Sequence, residues 1–345
     1  MKLTLALEPY TWLAPLVIFG MLGSMHASSP LPPEVPTCED AQRLAAKLSE
    51  SHGMVRSRDG TCLIYRYWPA TRQSPENPVV LVLHGIGYYS GPYKLIADAW
   101  SSKGVEVYAM DARAHGFSTG RRGYIGTPPQ AREDVGVMIQ LLRKKHPAAK
   151  LFLLGESMGG AFALNYAREK DSEIDGLILI APALGVPSSQ FLRFSNLLLI
   201  PYYLIWQRKP AVSLVDARLQ ESSRDPKFIA ERRSDPWAYK KVSFAYLKDI
   251  AKMVKNWKTD VAPNIHVPTL ILQGERDVIV SKKDNEALPR YLGVPENERE
   301  YKQWPGVPHT LLWDPETGKI LEYAQQWLQK QNARQPSGAL SGSRR

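Results

Sequence analysis

Cysteine is nearly missing from this 345-residue chain: only Cys38 and Cys62 occur, and they form no CxxC pair. Two thiols at that spacing exclude a disulfide-built scaffold, a structural zinc site and a dithiol redox centre. In an exported chain they can form one bridge closing a loop of about 24 residues, whereas in a reducing cytosol both stay thiols. No GK[ST] tripeptide is present, which excludes a P-loop. Uninterrupted apolar runs are shorter than the roughly 20 residues that span a bilayer, which excludes a multi-span membrane protein. No segment repeats at a fixed period, so solenoids and propellers are excluded too. The composition, 44% hydrophobic and 23% charged, is neither disordered nor collagen-like and supports a large core. The length suits two average domains or one large α/β domain with an insertion.

What is plentiful is positive charge, 44 Lys plus Arg against 34 Asp plus Glu. The surplus is uneven. Residues 185–262 hold 14 basic and 7 acidic side chains, and the polar stretch 331–345 (QNARQPSGALSGSRR) has three Arg and no acid. The latter reads as a disordered tail. A nucleic-acid partner is not expected, because no recognition motif accompanies the charge. At the other end, Lys2, the apolar run 12–22 (WLAPLVIFGML) and the small residues after it have the layout of a secretory signal. The expectation is a signal peptide or an uncleaved membrane-proximal anchor within residues 1–36, and so an exported or membrane-associated protein. The alternative is a disordered extension or misplaced start on a cytoplasmic one.

Between the ends, segments of two kinds alternate. Strands are expected at 61–68, 79–83, 105–110, 151–154, 176–180, 269–273 and 300–304. The middle ones (VVLVL, LFLL, GLILI, TLILQ) are apolar almost throughout, as strands buried on both faces are. Helices are expected at 39–49, 93–103, 130–145, 158–170, 282–292 and 317–331. This alternation implies α/β architecture, a mostly parallel sheet covered on both sides. It breaks between 185 and 262, where the residues look helical and no strand-like run is seen. The expected organisation is therefore a core of 37–184 and 263–330 interrupted by a helical cap of 185–262.

The sharpest motif is LFLLGESMGG, a GxSxG of Gly155, Ser157 and Gly159 between a short strand and an Ala-rich helix. The pattern alone is weak. Its strand-to-helix setting is what a nucleophilic serine needs: a tight turn lifts the hydroxyl off the sheet, small neighbours let backbones approach, and helix N–H groups sit beside it. A second backbone donor for an oxyanion is expected from the loop after the strand VVLVL, in HGIGYYSGPY, where Ile86 pairs with Met158. That loop is not a dinucleotide fingerprint, since Ser90 stands where GxGxxG requires its last Gly. The base must follow the acid in the order Ser, Asp or Glu, His. His146 precedes the serine and His266 precedes the penultimate strand, which leaves His309 in WPGVPHTLL, after the last strand. In GERDVIV the acid is Asp277, with Glu275 and Asp284 as alternatives.

These motifs together resemble the monoacylglycerol lipase and lysophospholipase family of the α/β-hydrolase superfamily. HGIGYYSGPY is similar to that family's HGxGEHSGRY, DARAHGFSTGRRG to DxxGHGxSxGxRG, and GESMGG to GHSMGG, while GERDVIV and PGVPH match its acid and histidine loops. The resemblance spans roughly residues 53–329. Tyr88 and Tyr89 depart from the family's Glu-His, and Ala114 from its Gly. The resemblance implies an α/β-hydrolase fold, Ser157 as nucleophile with Asp277 and His309, an oxyanion hole of Ile86 and Met158, and a lid over the site made by the insertion. It implies a serine ester hydrolase acting on monoacylglycerol or lysophospholipid-type substrates without metal or organic cofactor. A peptidase or acyltransferase on the same three residues, and a non-catalytic binding protein, are the alternatives. The stretch 191–206 (FLRFSNLLLIPYYLIW) suits an acyl tunnel or an interfacial surface, and a basic, apolar-tipped cap suits an anionic lipid surface. A cap helix packed on the core with a solvated charged face is the plainer account of the same residues.

Overall fold

Short apolar strands separated by helices can only hide both sheet faces if the strands run parallel, and the sheet obeys this over most of its width. The computed structural model describes residues 31–185, 210–214 and 221–334. Six strands precede the insertion: β1 (Ser51–Arg56), β2 (Cys62–Trp68), β3 (Val79–Leu83), β4 (Glu106–Met110), β5 (Leu151–Glu156) and β6 (Gly176–Ile180). Inside it, β7 (Pro210–Ser213) and β8 (Lys241–Ser243) form an antiparallel ribbon. Then β9 (Thr269–Gly274) and β10 (Arg299–Trp304) complete the large sheet in the order β1-β2-β4-β3-β5-β6-β9-β10. The β1–β2 and β2–β4 pairings are antiparallel and all others in that sheet are parallel.

The helices are α1 (Cys38–Ala45), α2 (Lys94–Trp100), α3 (Pro128–Lys145), α4 (Met158–Lys170), α5 (Pro226–Ser234), α6 (Phe244–Met253), α7 (Lys282–Ala287) and α8 (Thr317–Asn332). Apolar side chains of α3, α4 and α6 share one cluster with one face of the sheet, while those of α2 and α8 pack with the other. Trp100 at the end of α2 is buried there, and its indole N–H donates to the Leu321 carbonyl of α8 at 3.0 Å. Helix α3 starts on a capping box: Thr127 Oγ1 accepts from the Gln130 N–H and Gln130 Oε1 from the Thr127 N–H.

The architecture follows the expected α/β pattern, with three local differences. Strand β1 was not expected, because SHGMVR is a half-exposed edge strand with neither an apolar run nor clean alternation. The segment expected as one helix over 282–292 is α7 followed by a 3-10 turn, Leu288–Tyr291, where Pro289 supplies no N–H to continue an α-helix. The insertion is not purely helical: its ribbon strands PAVS and KVS are too short to stand out in a sequence. Helix α6 packs on α4, with Tyr246, Ile250, Met253 and Val254 buried in the core cluster, while Lys248, Lys252 and Lys255 belong to the basic surplus. The expected leader residues 1–30, residues 186–209 with the whole apolar stretch 191–206, residues 215–220 and the tail from 335 lie outside the described residues.

Cys38 and Cys62 are joined in a disulfide that fastens α1 to β2. Arg122 adds a second fastening, its Nε donating to the Pro33 carbonyl at 2.8 Å, and Val35 is fully buried between. The same guanidinium reaches the Ala114 and Gly116 carbonyls in the loop after β4. Ala114 sits there at φ 63°, a left-handed conformation that strains a Cβ-bearing residue.

Cys38→Ser should lower stability by about 3.5 kcal/mol, the chain-entropy value for this loop, read as a lower urea midpoint with a somewhat steeper slope, because the unlinked chain unfolds to a more open state. Ala114→Gly should act the other way, by about 0.5–1 kcal/mol, since relief of left-handed strain exceeds the extra freedom of the unfolded chain; a calorimetric Tm measures it.

Candidate active site

The turn after β5 is the tightest point of the chain. Ser157 has φ 49° and ψ −108°, and its N–H donates to the Ile180 carbonyl of β6 at 2.8 Å. Such a turn exists only because its flanks lack side chains. A Cβ on Gly159 would lie 1.9 Å from the Leu83 carbonyl oxygen, and one on Gly155 would lie 2.4 Å from the Gly159 carbonyl oxygen. The turn places Ser157 at the N-terminus of α4, at the ends of β3, β5 and β6.

The loops after β9 and β10 meet it there. His309 Nε2 is 3.0 Å from Ser157 Oγ, and its Nδ1 is 2.8 Å from Asp277 Oδ2. All three are buried. The carboxylate cannot donate, so Nδ1 carries the proton and Nε2 presents a lone pair to the serine hydroxyl. Asp277 is itself oriented by the N–H groups of Ile279 and Val280 on Oδ1 and by Gln273 Nε2 at 2.8 Å on Oδ2. Asn285 in turn donates to Gln273 Oε1 at 2.6 Å. Burial alone would lower the His309 pKa, but the Asp277 carboxylate beside it overrides this and raises it above the usual imidazole value. The converse holds for Asp277: burial pushes its carboxyl up, and the histidine together with the Ile279 and Gln273 donors brings it below the usual range.

The other candidates are engaged elsewhere. His146 Nε2 pairs with the Tyr108 hydroxyl at 2.8 Å, and His266 pairs with Asp171 at 3.0 Å on the surface. Glu275 Oε2 accepts from the Gly306 N–H, and Asp284 lies in the first turn of α7. Ile86, in the loop after β3, and Met158, first in α4, flank the serine turn, and neither N–H forms a hydrogen bond within the described residues.

Several polar residues around the turn went unnoticed in the sequence. Glu156, next to Ser157, is buried, and burial raises its carboxyl to about 7. The Tyr93 hydroxyl donates to it while accepting the Gly85 N–H at 2.7 Å. His84 accepts the Ala112 N–H on Nε2 at 3.0 Å, and the His115 ring lies tilted beside it, ring centroids 5.0 Å apart. Both histidines precede the serine, so the chain-order rule for a base passes over them. The Tyr88 ring stacks on Trp313 at 5.0 Å and lies 4.2 Å below the Arg232 guanidinium. The signal available for His84 and His115 was that each stands in an HG pair within a motif loop; for Arg232, inside a generally basic segment, there was none.

A hydroxyl, a proton-accepting imidazole and an orienting carboxylate in this geometry can generate an alkoxide equivalent for attack on a carbonyl. The parallel sheet, with the serine turn after β5 and the acid and histidine loops after β9 and β10, is the architecture of the α/β-hydrolases. Residues 74–316 match the family described as serine aminopeptidase, S33, and the chain belongs to that family of hydrolases. Among proteins it is similar to, the monoacylglycerol lipase of Mycolicibacterium smegmatis is 23% identical over 270 residues, 78% of this chain and 93% of that one. Phospholipase YtpA of Bacillus subtilis is 26% identical over 249 residues, 71% and 93% of the two chains. The crystal structure of a soluble variant of monoglyceride lipase from Saccharomyces cerevisiae, in complex with a substrate analog, has a TM-score of 0.68. It covers 89% of this chain and 100% of that one at 22% identity, and so reports on the fold.

Because the imidazole must be neutral to accept the hydroxyl proton, Ser157 labelling by a fluorophosphonate should rise with pH through the His309 titration. Its midpoint is expected above the ordinary imidazole pKa of about 6.5. In Asp277→Asn, labelling should slow by a factor on the order of 10⁴ and the midpoint should move down. Stopped-flow or gel-based labelling rates between pH 5 and 9 check both.

Proposed function

We propose that this hydrolase cleaves carboxylic esters of lipids, monoacylglycerols or lysophospholipids, through an acyl-enzyme on Ser157. His309 takes the hydroxyl proton as the oxygen attacks the ester carbonyl, and Asp277 stabilises the imidazolium that forms. The N–H groups of Ile86 and Met158 hold the oxyanion, His309 returns its proton to the departing alcohol, and water repeats the sequence to release the fatty acid. No metal or organic cofactor takes part. The observation that carries the reading is the buried, consecutively hydrogen-bonded row Asp277–His309–Ser157 at a strained strand-to-helix turn. The names of the relatives, a monoacylglycerol lipase and a phospholipase, support a lipid substrate.

The insertion, 185–262 in this reading, acts as the cap, and its excess of seven basic residues favours docking on an anionic membrane surface. An exported or membrane-associated location is part of the same proposal. It is supported by the apolar run 12–22 and by the Cys38–Cys62 disulfide, a bond that persists in oxidising compartments.

The test is hydrolysis of an acyl-length series of monoacylglycerols and lysophospholipids by wild type and Ser157→Ala, with aminoacyl arylamides alongside because the family description names an aminopeptidase. Wild type should release fatty acid, and Ser157→Ala should lose at least about a thousandfold in kcat while keeping its Tm. Cleavage of the arylamides with no lipid turnover overturns the lipid assignment.

A further inference from the structure

The loop after β3 is held at several of its backbone polar groups, partly from the insertion. The Gly85 N–H goes to Tyr93 Oη at 2.7 Å, and the Gly85 carbonyl accepts the Tyr88 N–H at 3.1 Å. The Gly87 carbonyl accepts the Tyr239 N–H at 2.9 Å, and the Gly87 N–H lies close to the Tyr246 hydroxyl oxygen. Arg232 Nη2 approaches the Ile86 carbonyl at 3.4 Å. The Ile86 N–H makes no hydrogen bond among the described residues.

Three of these restraints, from Arg232, Tyr239 and Tyr246, come from the insertion. Tyr246 is the most informative. Its buried hydroxyl lies 2.7 Å from His115 Nε2 and 3.1 Å from Met158 Sδ, with the Gly87 N–H close by. The direction of each bond can be worked out. His115 Nδ1 is 2.9 Å from the Arg113 carbonyl, which only accepts, so Nδ1 carries the proton and Nε2 is a lone pair. Burial holds this imidazole neutral, well below its usual pKa. The tyrosine hydrogen is therefore committed to His115, and its oxygen lone pairs face the Gly87 N–H. One hydroxyl thus touches the residue after Ile86 and the side chain of Met158, on both halves of the oxyanion hole.

We propose that Tyr246, oriented by His115, is a positioning residue that sets the two oxyanion donors relative to each other, which makes the insertion part of the reaction machinery as well as its cover. The proposal rests on the reading of Ile86 and Met158 as those donors. A misplaced donor weakens the transition state far more than the ground state, so the loss belongs in kcat.

The experiment compares wild type, Tyr246→Phe, His115→Leu and the double variant. Each is assayed for kcat and KM on the best ester substrate, and for the inhibition constant of a trifluoromethyl ketone carrying the same acyl chain, which forms an oxyanion on Ser157. Tyr246→Phe should lose about tenfold to a hundredfold in kcat with KM within about twofold, and bind the ketone more weakly by the same factor as kcat/KM. His115→Leu should shift both quantities in the same direction, and the double variant should be no worse than Tyr246→Phe alone. An unchanged kcat, or a rise in KM with ketone affinity intact, overturns the positioning role, and additive losses overturn the link through His115. If Tyr246→Phe fails to give a cooperative thermal transition, His115→Leu is judged by the same kcat and ketone criteria. A wild type that neither turns over esters nor reacts with a fluorophosphonate defeats the underlying serine-hydrolase reading and is told apart from these results by that alone.

Discussion

Everything at the site depends on how closely the backbone after β5 passes the end of β3. With a Cβ at Gly159 the Leu83 carbonyl oxygen would be 1.9 Å away, so the serine turn and the loop after β3 can share one space only with glycine there. At this crossing Ser157 itself takes a positive φ of 49°. The strain is borne by the surroundings: the Ser157 N–H is bound by β6 and its carbonyl accepts from the Ala161 and Ala183 N–H groups. A rigid, fully buried sheet centre is therefore a condition of the chemistry, and the all-apolar β3, β5 and β6 supply it.

The insertion is more closely joined to the core than a lid is. Ser222 accepts hydrogen bonds from both the N–H and the hydroxyl of Thr310, the residue after His309. Arg224 makes a two-pronged pair with Asp314, and Phe228 stacks on Trp313 at 5.1 Å. Residues 221–253 thus clamp the His309 loop with one end and the loop after β3 with the other. Any closing motion over the site has to leave this part in place.

Most of the fold was legible because it rests on burial, and burial writes itself into sequence as apolar runs. VVLVL, LFLL, GLILI and TLILQ each became a central strand. The edge strand β1 and the β7–β8 ribbon were illegible for the converse reason, since strands that bury little carry little pattern. At the site, Ser157, Asp277 and His309 were legible through chain order and loop position, and the structure brings these three together. Tyr246, His115, Arg232 and Glu156 were not, because each acts through a contact between distant segments. A tyrosine in FAYLKDI looks like any core tyrosine until His115, 131 residues away, is seen against its hydroxyl.

The chain order of the site has a consequence for biosynthesis. Ser157 and His309 are separated by 152 residues, and the whole insertion and the last two strands lie between them. During translation Ser157 emerges early, on a half-sheet without His309 beside it, and under the proposed mechanism it is inert there. The histidine joins it only after β9 and β10 have been added to the open edge of the sheet. In that mechanism a nascent chain, or a fragment that stops short of β10, carries an unarmed hydroxyl, and ester cleavage appears in a single late step. For a protein whose proposed substrates resemble the lipids of the membranes around it, synthesis and activity are kept apart by topology alone.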